Sequence, residues 1–177
     1  MHIVDPRQKI ALSGVVASLF FSFSYILIAL LYIKFDMPTI NSPVEKQMFT
    51  WQCILFAAIP LAAGQLAVMA RKLLQPSSLD GESMQDGSRL DIHTRFVRDT
   101  MVHLLLFIVV LFNVAPLLEG DFLRLMPVLT SWFIFTRIFY WFAYLISPPH
   151  RIFGTAATMA PNIFFLVFCM LHLFNWI

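Results

Sequence analysis

Four polar side chains towards the C-terminal end of the chain have the types and the spacing to bind an anion. Arg137, Tyr140 and Tyr144 lie at positions i, i+3 and i+7 of an apolar run, so a helix there places all three on one face. Arg151 follows the proline pair 148–149, which we expect to end that helix. Guanidinium groups bind carboxylates through paired hydrogen bonds, and phenols donate further ones. The pattern therefore indicates a cationic face that an anionic ligand could occupy.

A second group of ionisable residues stands before the apolar run that begins near residue 100. Arg95, Asp99 and His103 lie at i, i+4 and i+8, with Arg98 beside them. An i, i+4 pair of Arg95 and Asp99 would stabilise a helix by about 0.2–0.5 kcal/mol, which is enough to explain both residues. His103 fits either a hydrogen-bonded interior histidine or a base. The five histidines of the chain show no metal-ligand spacing, so we predict no metal site.

The composition shows which elements must position these residues. Of 177 residues, 59% are hydrophobic and only 12% are charged, whereas a soluble domain is near half apolar and about a quarter charged. This deficit of charge predicts an integral membrane protein in contact with membrane lipids. The balance of 12 Lys and Arg against 10 Asp and Glu argues against nucleic-acid binding. Cys53 and Cys169 stand inside apolar runs and are expected to be buried hydrophobes.

Five stretches approach the roughly 20 apolar residues that a transmembrane helix needs. Because backbone polar groups inside a bilayer must be satisfied within the segment, spans of this length are helical. The expected fold class is therefore an all-α integral membrane bundle of five spans. The predicted spans are Ile10–Ile33, Phe49–Met69, Thr100–Leu118, Pro127–Ile146 and Ala157–Trp176.

The basic residues predict the orientation of this bundle. With five crossings, eight of the 12 Lys and Arg fall on the side of the N-terminus and of the second and fourth loops. Three fall on the other side, and Arg137 lies within a span. Because short loops rich in Lys and Arg stay in the cytoplasm, the N-terminus is predicted to be cytoplasmic and the C-terminus to lie on the opposite side.

The depth of Arg137 leaves two interpretations open. An arginine in the middle of a span costs about 2.5–3.5 kcal/mol on insertion scales, so it must face a partner or a wet cavity. Arg137 could hold helices together by bonding to carbonyls or to a carboxylate, with the tyrosines packed beside it. Alternatively, it could line an anion-accepting cleft between helices that is open to the cytoplasm.

These two groups of residues resemble the MAPEG family, the membrane-associated proteins in eicosanoid and glutathione metabolism. The resemblance runs from about residue 49 to the C-terminus. Two motifs carry it, Arg95-x-x-Arg98-Asp99-x-x-Val102 at the opening of one span and Arg137-x-x-Tyr140-x-x-x-Tyr144 in the next. A further block is most similar to one branch of the family, and it comprises Leu129-Thr130, Arg137 to Trp141, Arg151-x-Phe153-Gly154, Thr158 and Pro161.

The resemblance implies a homotrimer of four-helix subunits that bind glutathione between neighbouring subunits near the cytoplasmic face. An arginine of the family stabilises the glutathione thiolate for attack on lipophilic substrates, a role that would fall here to Arg151 or Arg137. The implied domains are an extra transmembrane helix over 1–36 and a MAPEG-like four-helix domain over 37–177 with a cytoplasmic loop at 71–94. The implied glutathione-binding residues are Arg95, Arg98, Asp99, His103, Arg137, Tyr140, Tyr144 and Arg151.

Two departures from the family pattern weaken the expected affinity for glutathione. Asp99 stands where the family places an asparagine, and Val102 stands where the family places a glutamate that accepts from the glutathione amine. Losing a charge-assisted hydrogen bond of that kind costs about 1.5–3 kcal/mol. The anion-binding arginines are kept while the acceptor for the amine is lost.

Two functions are therefore compatible with the sequence. The first is a divergent MAPEG-type membrane protein that is non-catalytic or binds ligand weakly and acts through interactions. The second is a glutathione-dependent transferase or peroxidase that acts on lipophilic substrates at a cytoplasmic cleft between subunits. A channel or transporter has less support, because only Arg137 lies deep in a span and no chain of ionisable residues crosses the bilayer.

Overall fold

A computed structural model describes residues 6–33, 40, 42–74, 88–146 and 151–174. These residues are helical, with no strand among them. Short 3₁₀ turns at Ala115–Leu117 and Gly120–Arg124 connect α4 to α5. The α-helices are α1 (Pro6–Tyr32), α2 (Pro43–Ala57), α3 (Ile59–Leu74), α4 (Arg89–Val114), α5 (Leu125–Ile146) and α6 (Arg151–Leu173).

The prediction of five membrane-spanning helices is confirmed. Five helical segments of the described chain are long and apolar enough to cross a membrane, and their mean hydropathies lie between 1.3 and 2.3. Their outer faces carry large exposed apolar side chains, as lipid contact requires. The spans are Leu12–Tyr32, Pro43–Leu74, Arg89–Leu117, Gly120–Ile146 and Arg151–Leu173.

Helices α2 and α3 together form the second span, with a local irregularity at Ala58. Pro60 has no N–H to donate to the carbonyl of Phe56, so one bond of the helical ladder is missing. The ladder resumes on both sides, because Ala58 donates to the Ile54 carbonyl and Ala62 to the Ala58 carbonyl, each at 3.0 Å. The span therefore continues through the proline and is longer than predicted at both ends.

Several predicted features lie outside the described residues. These are the boundary between residues 36 and 37, the basic residue Lys34, the middle of the long loop (75–87), and Pro148 and Pro149. Helix α3 continues to Leu74 and α4 begins at Arg89, so both ends of the predicted loop 71–94 are helical. The third span begins as a helix at Arg89, before the predicted start at Thr100.

The first helix is packed into the bundle along α6 and α5. Ser18 and Ser22 are completely buried, and the Ser22 hydroxyl lies 3.1 Å from the Ala157 carbonyl of α6. Tyr25 stacks on Trp132 of α5 with ring centroids 4.7 Å apart. Small side chains that repeat every four residues allow such close helix contacts in membranes. The helix predicted as an addition thus shares buried contacts with the remaining four spans.

Helices α5 and α6 approach each other most closely at Gly154. A Cβ atom there would lie 2.7 Å from Cβ and 2.9 Å from Cα of Tyr140. Because one of these atoms belongs to the α5 backbone, a larger side chain cannot be accommodated by a rotamer change alone. The glycine therefore sets the separation of the two helices that carry the predicted arginine–tyrosine face.

We predict that Gly154→Ala destabilises the bundle by about 1–3 kcal/mol, the usual cost of overpacking. Gly14→Ala is the matched control, because the added Cβ would meet its nearest atom, the Phe153 nitrogen, at 3.7 Å. The free energy of unfolding is measured by SDS titration of the protein in mixed micelles. Equal stability of the two variants would contradict the close approach at Gly154.

Candidate functional site

The predicted arginine–tyrosine face is confirmed as one face of α5, and it points into the bundle. Arg137 is 0% exposed, Tyr140 is 1% exposed and Tyr144 is 5% exposed. Burial on this side follows from the sequence pattern, because the opposite side of α5 carries Phe135, Phe142 and other apolar residues that are exposed. The candidate site is therefore an interior cluster between α4, α5 and α6.

Neutral oxygen atoms of α6 bind the Arg137 guanidinium. Nε donates to the Thr158 hydroxyl at 3.0 Å, and Nη2 donates to the Gly154 carbonyl at 2.6 Å and also contacts the Thr158 hydroxyl. The remaining nitrogen, Nη1, is buried without a hydrogen-bond partner in the described chain. Among the residues that the structure describes, no carboxylate lies within ion-pair distance of Arg137.

Thr158 is the central acceptor of this cluster. Its hydroxyl oxygen accepts from Arg137 and lies 2.8 Å from the Thr136 hydroxyl and 2.9 Å from the Gly154 carbonyl. Thr136 also lies 3.0 Å from the carbonyl of Phe133 in its own helix. Hydrogen bonds among buried groups are mutually strengthening in a low dielectric. The guanidinium is thus held by a connected polar network between two helices.

Tyr140 links the buried guanidinium to a carboxylate on α4. The Arg137 Cζ atom lies 5.0 Å from the centroid of the Tyr140 ring, within the range of a cation–π contact. The Tyr140 hydroxyl donates to Oδ2 of Asp99 at 2.6 Å. The positive charge of Arg137 and the negative charge of Asp99 are therefore joined through one aromatic ring rather than by direct contact.

The outer predicted residues lie towards one end of this cluster. Arg151 places its Cζ atom 4.7 Å from the ring centroid of Tyr144, and that ring is 6.0 Å from the Tyr140 ring. Arg98 is exposed and its Nε is 3.7 Å from Oδ1 of Asp99. An exposed pair at this distance contributes little. Of these two predicted residues beside the network, Arg98 is exposed and Arg151 is half-buried.

The predicted ion pair between Arg95 and Asp99 is wrong. Arg95 Nε instead lies 2.8 Å from Oδ1 of Asp91, four residues earlier. Two physical reasons favour this partner. An acid that precedes a base by four residues suits the helix dipole better than the reverse order, and Asp99 is turned towards Tyr140. Arg95 therefore stands apart from the carboxylate of the network.

His103 contacts the backbone one turn before it. Its Nδ1 lies 2.6 Å from the Asp99 carbonyl oxygen, and its Nε2 is buried without a partner in the described chain. Because a carbonyl can only accept, Nδ1 carries the proton and Nε2 is left as an acceptor. Nδ1 is hydrogen-bonded, as expected for an interior histidine, whereas Nε2 has no partner among the described residues.

Sequence reasoning missed the contribution of α6 and a second histidine contact. Gly154 and Thr158 carry the bonds to Arg137, and their four-residue spacing in an apolar helix is a signal that could have identified them. Trp141 donates through Nε1 to Nδ1 of His93 at 2.9 Å. No pattern in the sequence predicts that contact, since the two residues are 48 positions apart.

In the described parts of the chain, no three His, Cys, Asp or Glu residues are grouped so as to hold a metal ion. The predicted groups that could contact an anionic cofactor are the guanidiniums of Arg98 and Arg151, because Nη1 of Arg137 is buried. The roles of the eight predicted ligand-binding residues stay predictions.

We predict that Thr158→Val destabilises the protein by about 1.5–3 kcal/mol, because it removes an acceptor from a buried charged group. Thr155→Val is the matched control on the same helix, since among the described residues the Thr155 hydroxyl bonds only to the Arg151 carbonyl, at 3.3 Å. Unfolding in SDS, followed by tryptophan fluorescence, gives both values. Similar losses in the two variants would refute the central place of Thr158.

A double-mutant cycle tests the link between Tyr140 and Asp99. We expect Tyr140→Phe and Asp99→Asn to show a coupling free energy of about 0.5–3 kcal/mol, as contacting residues do. Tyr144→Phe combined with Asp99→Asn is the control, because the Tyr144 hydroxyl makes no hydrogen bond to a residue that the structure describes. Additive effects of Tyr140→Phe and Asp99→Asn on unfolding would contradict the bond.

Comparison with known proteins gives two similar curated sequences. The chain is 31% identical over 169 residues to transmembrane protein 79 of Mus musculus, an alignment of 93% of this chain and 41% of that protein. It is 28% identical over 150 residues to transmembrane protein 79 of Bos taurus, which covers 81% of this chain and 36% of that protein. The chain thus spans about two fifths of the length of these relatives.

No family model matches the chain, and no solved structure matches it. The relatives that the block at 129–161 predicts are those of transmembrane protein 79, also called mattrin. The similarity to that protein is confirmed, whereas the assignment to the MAPEG family stays a prediction. With five apolar helices and these relatives, the chain is an integral multi-pass membrane protein similar to transmembrane protein 79.

Proposed function

We propose that this chain is a divergent MAPEG-type protein that acts through interactions in the membrane, and not through glutathione chemistry. In this proposal the N-terminus is cytoplasmic and the subunits assemble as a homotrimer, as the basic loops and the family resemblance imply. The arginine–tyrosine face then serves to hold helices together.

One observation carries the proposal. Two of the groups that would hold glutathione in the family, the Arg137 guanidinium and the Tyr140 hydroxyl, already have hydrogen-bond partners within this chain. Arg137 is completely buried and donates hydrogen bonds to Gly154 and Thr158. The Tyr140 hydroxyl donates its hydrogen bond to Asp99. A ligand would have to displace these bonds, and each hydrogen bond to a charged group is worth about 1.5–3 kcal/mol.

The position of Val102 supports the same conclusion. Its side chain is 59% exposed on α4, one turn beyond Asp99, where the family places the acceptor for the glutathione amine. Met101, Leu105 and Val109 extend this exposed apolar face along the helix. Such a face fits lipid or another apolar helix better than it fits a charged tripeptide.

A glutathione-dependent transferase or peroxidase is the second candidate. It is favoured by the exposed guanidinium of Arg98 and by the half-buried Arg151, both beside the network. In that case Arg151 or Arg137 stabilises the glutathione thiolate, and Tyr140 and Tyr144 donate hydrogen bonds. A neighbouring subunit would complete the cleft for a lipophilic substrate.

Glutathione titration by calorimetry, with purified protein in detergent, separates the two functions. We expect no measurable binding by the wild type at millimolar glutathione. We expect Val102→Glu to restore binding, because a carboxylate regained at that position adds about 1.5–3 kcal/mol, or one to two orders of magnitude in affinity.

Arg151→Ala is the control for a working thiol site. Binding by the wild type that Arg151→Ala abolishes would reject the interaction proposal and make the enzyme the primary function. Absence of binding in both wild type and Val102→Glu would leave the interaction function supported and would show that the family cleft itself has been lost.

A further inference from the structure

A groove of about 410 Å³ lies between the last turns of α3 and the first turns of α4. Its wall is mainly apolar, with Val68 and Met69 on α3 and Val97 on α4. Lys72 and Gln65 supply polar groups from the same face of α3. This volume is within the range of small-molecule sites, which are about 300–1,000 Å³. The groove is separate from the network around Arg137.

One end of the groove is basic. Arg71 and Lys72 occupy the last turn of α3, and Arg89 begins α4 at the same end of the two helices. A basic pocket between membrane helices at the bilayer surface attracts an anionic lipid headgroup.

Gln65 places an amide deeper in the same groove. It lies seven residues before Lys72, which is about 10 Å along the helix axis. Its side chain is exposed on the outer face of a membrane span and makes no hydrogen bond to any residue that the structure describes. An unpaired amide in contact with hydrocarbon is costly, and an ester carbonyl would accept from it.

The deeper end of the groove is closed where α3 meets α4. Gly64 packs against the buried ring of Phe96, and a Cβ atom at Gly64 would lie 2.6 Å from Cε1 of that ring. The helices are therefore in tight contact at this level. The groove has a closed apolar end within the span and a basic end at the helix termini.

We propose that the groove between α3 and α4 binds one anionic glycerophospholipid from the surrounding membrane. The phosphate lies at Lys72 and Arg71, an ester carbonyl accepts from Gln65, and an acyl chain packs along Val68 and Val97. The basic end of the groove selects an anionic headgroup, and the apolar wall selects an acyl chain. The site is independent of the proposed interaction function and of glutathione.

The test is lipid retention by the full chain, measured by native mass spectrometry after delipidation and addition of dioleoyl phosphatidylglycerol or dioleoyl phosphatidylcholine. We expect one phosphatidylglycerol to be retained per chain, with at least a fivefold preference over phosphatidylcholine. Lys72→Gln should lower that preference about fivefold, the effect of one basic residue near an anionic lipid surface. Val97→Trp should fill the groove and abolish retention of either lipid.

Lys9→Gln is the matched control, because it removes one exposed positive charge from α1, which does not line the groove. It should retain phosphatidylglycerol as the wild type does. Circular dichroism and the thermal midpoint without added lipid check that each variant is folded. If Val97→Trp does not fold, Lys72→Gln still decides the question.

Three outcomes would overturn the proposal. The first is equal retention of the two lipids by the wild type, and the second is an equal loss of preference in Lys72→Gln and Lys9→Gln. The third is competition by inorganic phosphate at concentrations equimolar with the lipid, which would make the site a phosphate site without an acyl chain.

Discussion

A positive charge buried in an apolar bundle is the constraint on which the rest of this structure depends. The Arg137 guanidinium is completely buried, and such a charge is tolerated only where polar groups surround it. Those groups come from α6, which must approach α5 closely enough for the Gly154 carbonyl and the Thr158 hydroxyl to reach the guanidinium. The glycine permits that approach, so the charge and the helix separation are two parts of one solution.

The same constraint determines which groups contact the negative charge of Asp99. Asp99 is partly exposed at its own position on α4, yet it stands one phenol away from Arg137. Tyr140 contacts both charged groups, because its ring lies against the Arg137 guanidinium and its hydroxyl donates to the Asp99 carboxylate. Three helices are therefore tied together by a cation, a ring and an anion. A direct ion pair would have needed Asp99 deeper in the bundle, where it would lose its access to water.

The sequence predicted the fold well and the partners of the site poorly, for physical reasons. Spans follow from length and hydropathy, and the shared face of Arg137, Tyr140 and Tyr144 follows from helical spacing, because both depend on residues close in the chain. Contacts between helices depend on how each helix is rotated about its axis and how deep it lies in the membrane, and residue spacing does not determine either. The bond from Arg137 to Thr158 crosses 21 positions and the bond from Tyr140 to Asp99 crosses 41. The ion pair of Arg95 was assigned to Asp99 on spacing alone, where Asp91 fits the spacing equally well.

The two departures from the family pattern have a common explanation in this network. The family resemblance implies asparagine and glutamate where this chain has Asp99 and Val102, so this chain carries its carboxylate about one helical turn earlier on α4 than the resemblance implies, at the same formal charge. At position 99 the carboxylate accepts from Tyr140 and balances the charge of Arg137 within this chain. At position 102, where Val102 is exposed, a carboxylate would point away from the bundle and be available to a ligand or a neighbouring subunit. A carboxylate at position 99 is bonded within this chain, and no acceptor stands at position 102, where the resemblance implies one for a bound amine, so Val102 is the informative position to substitute.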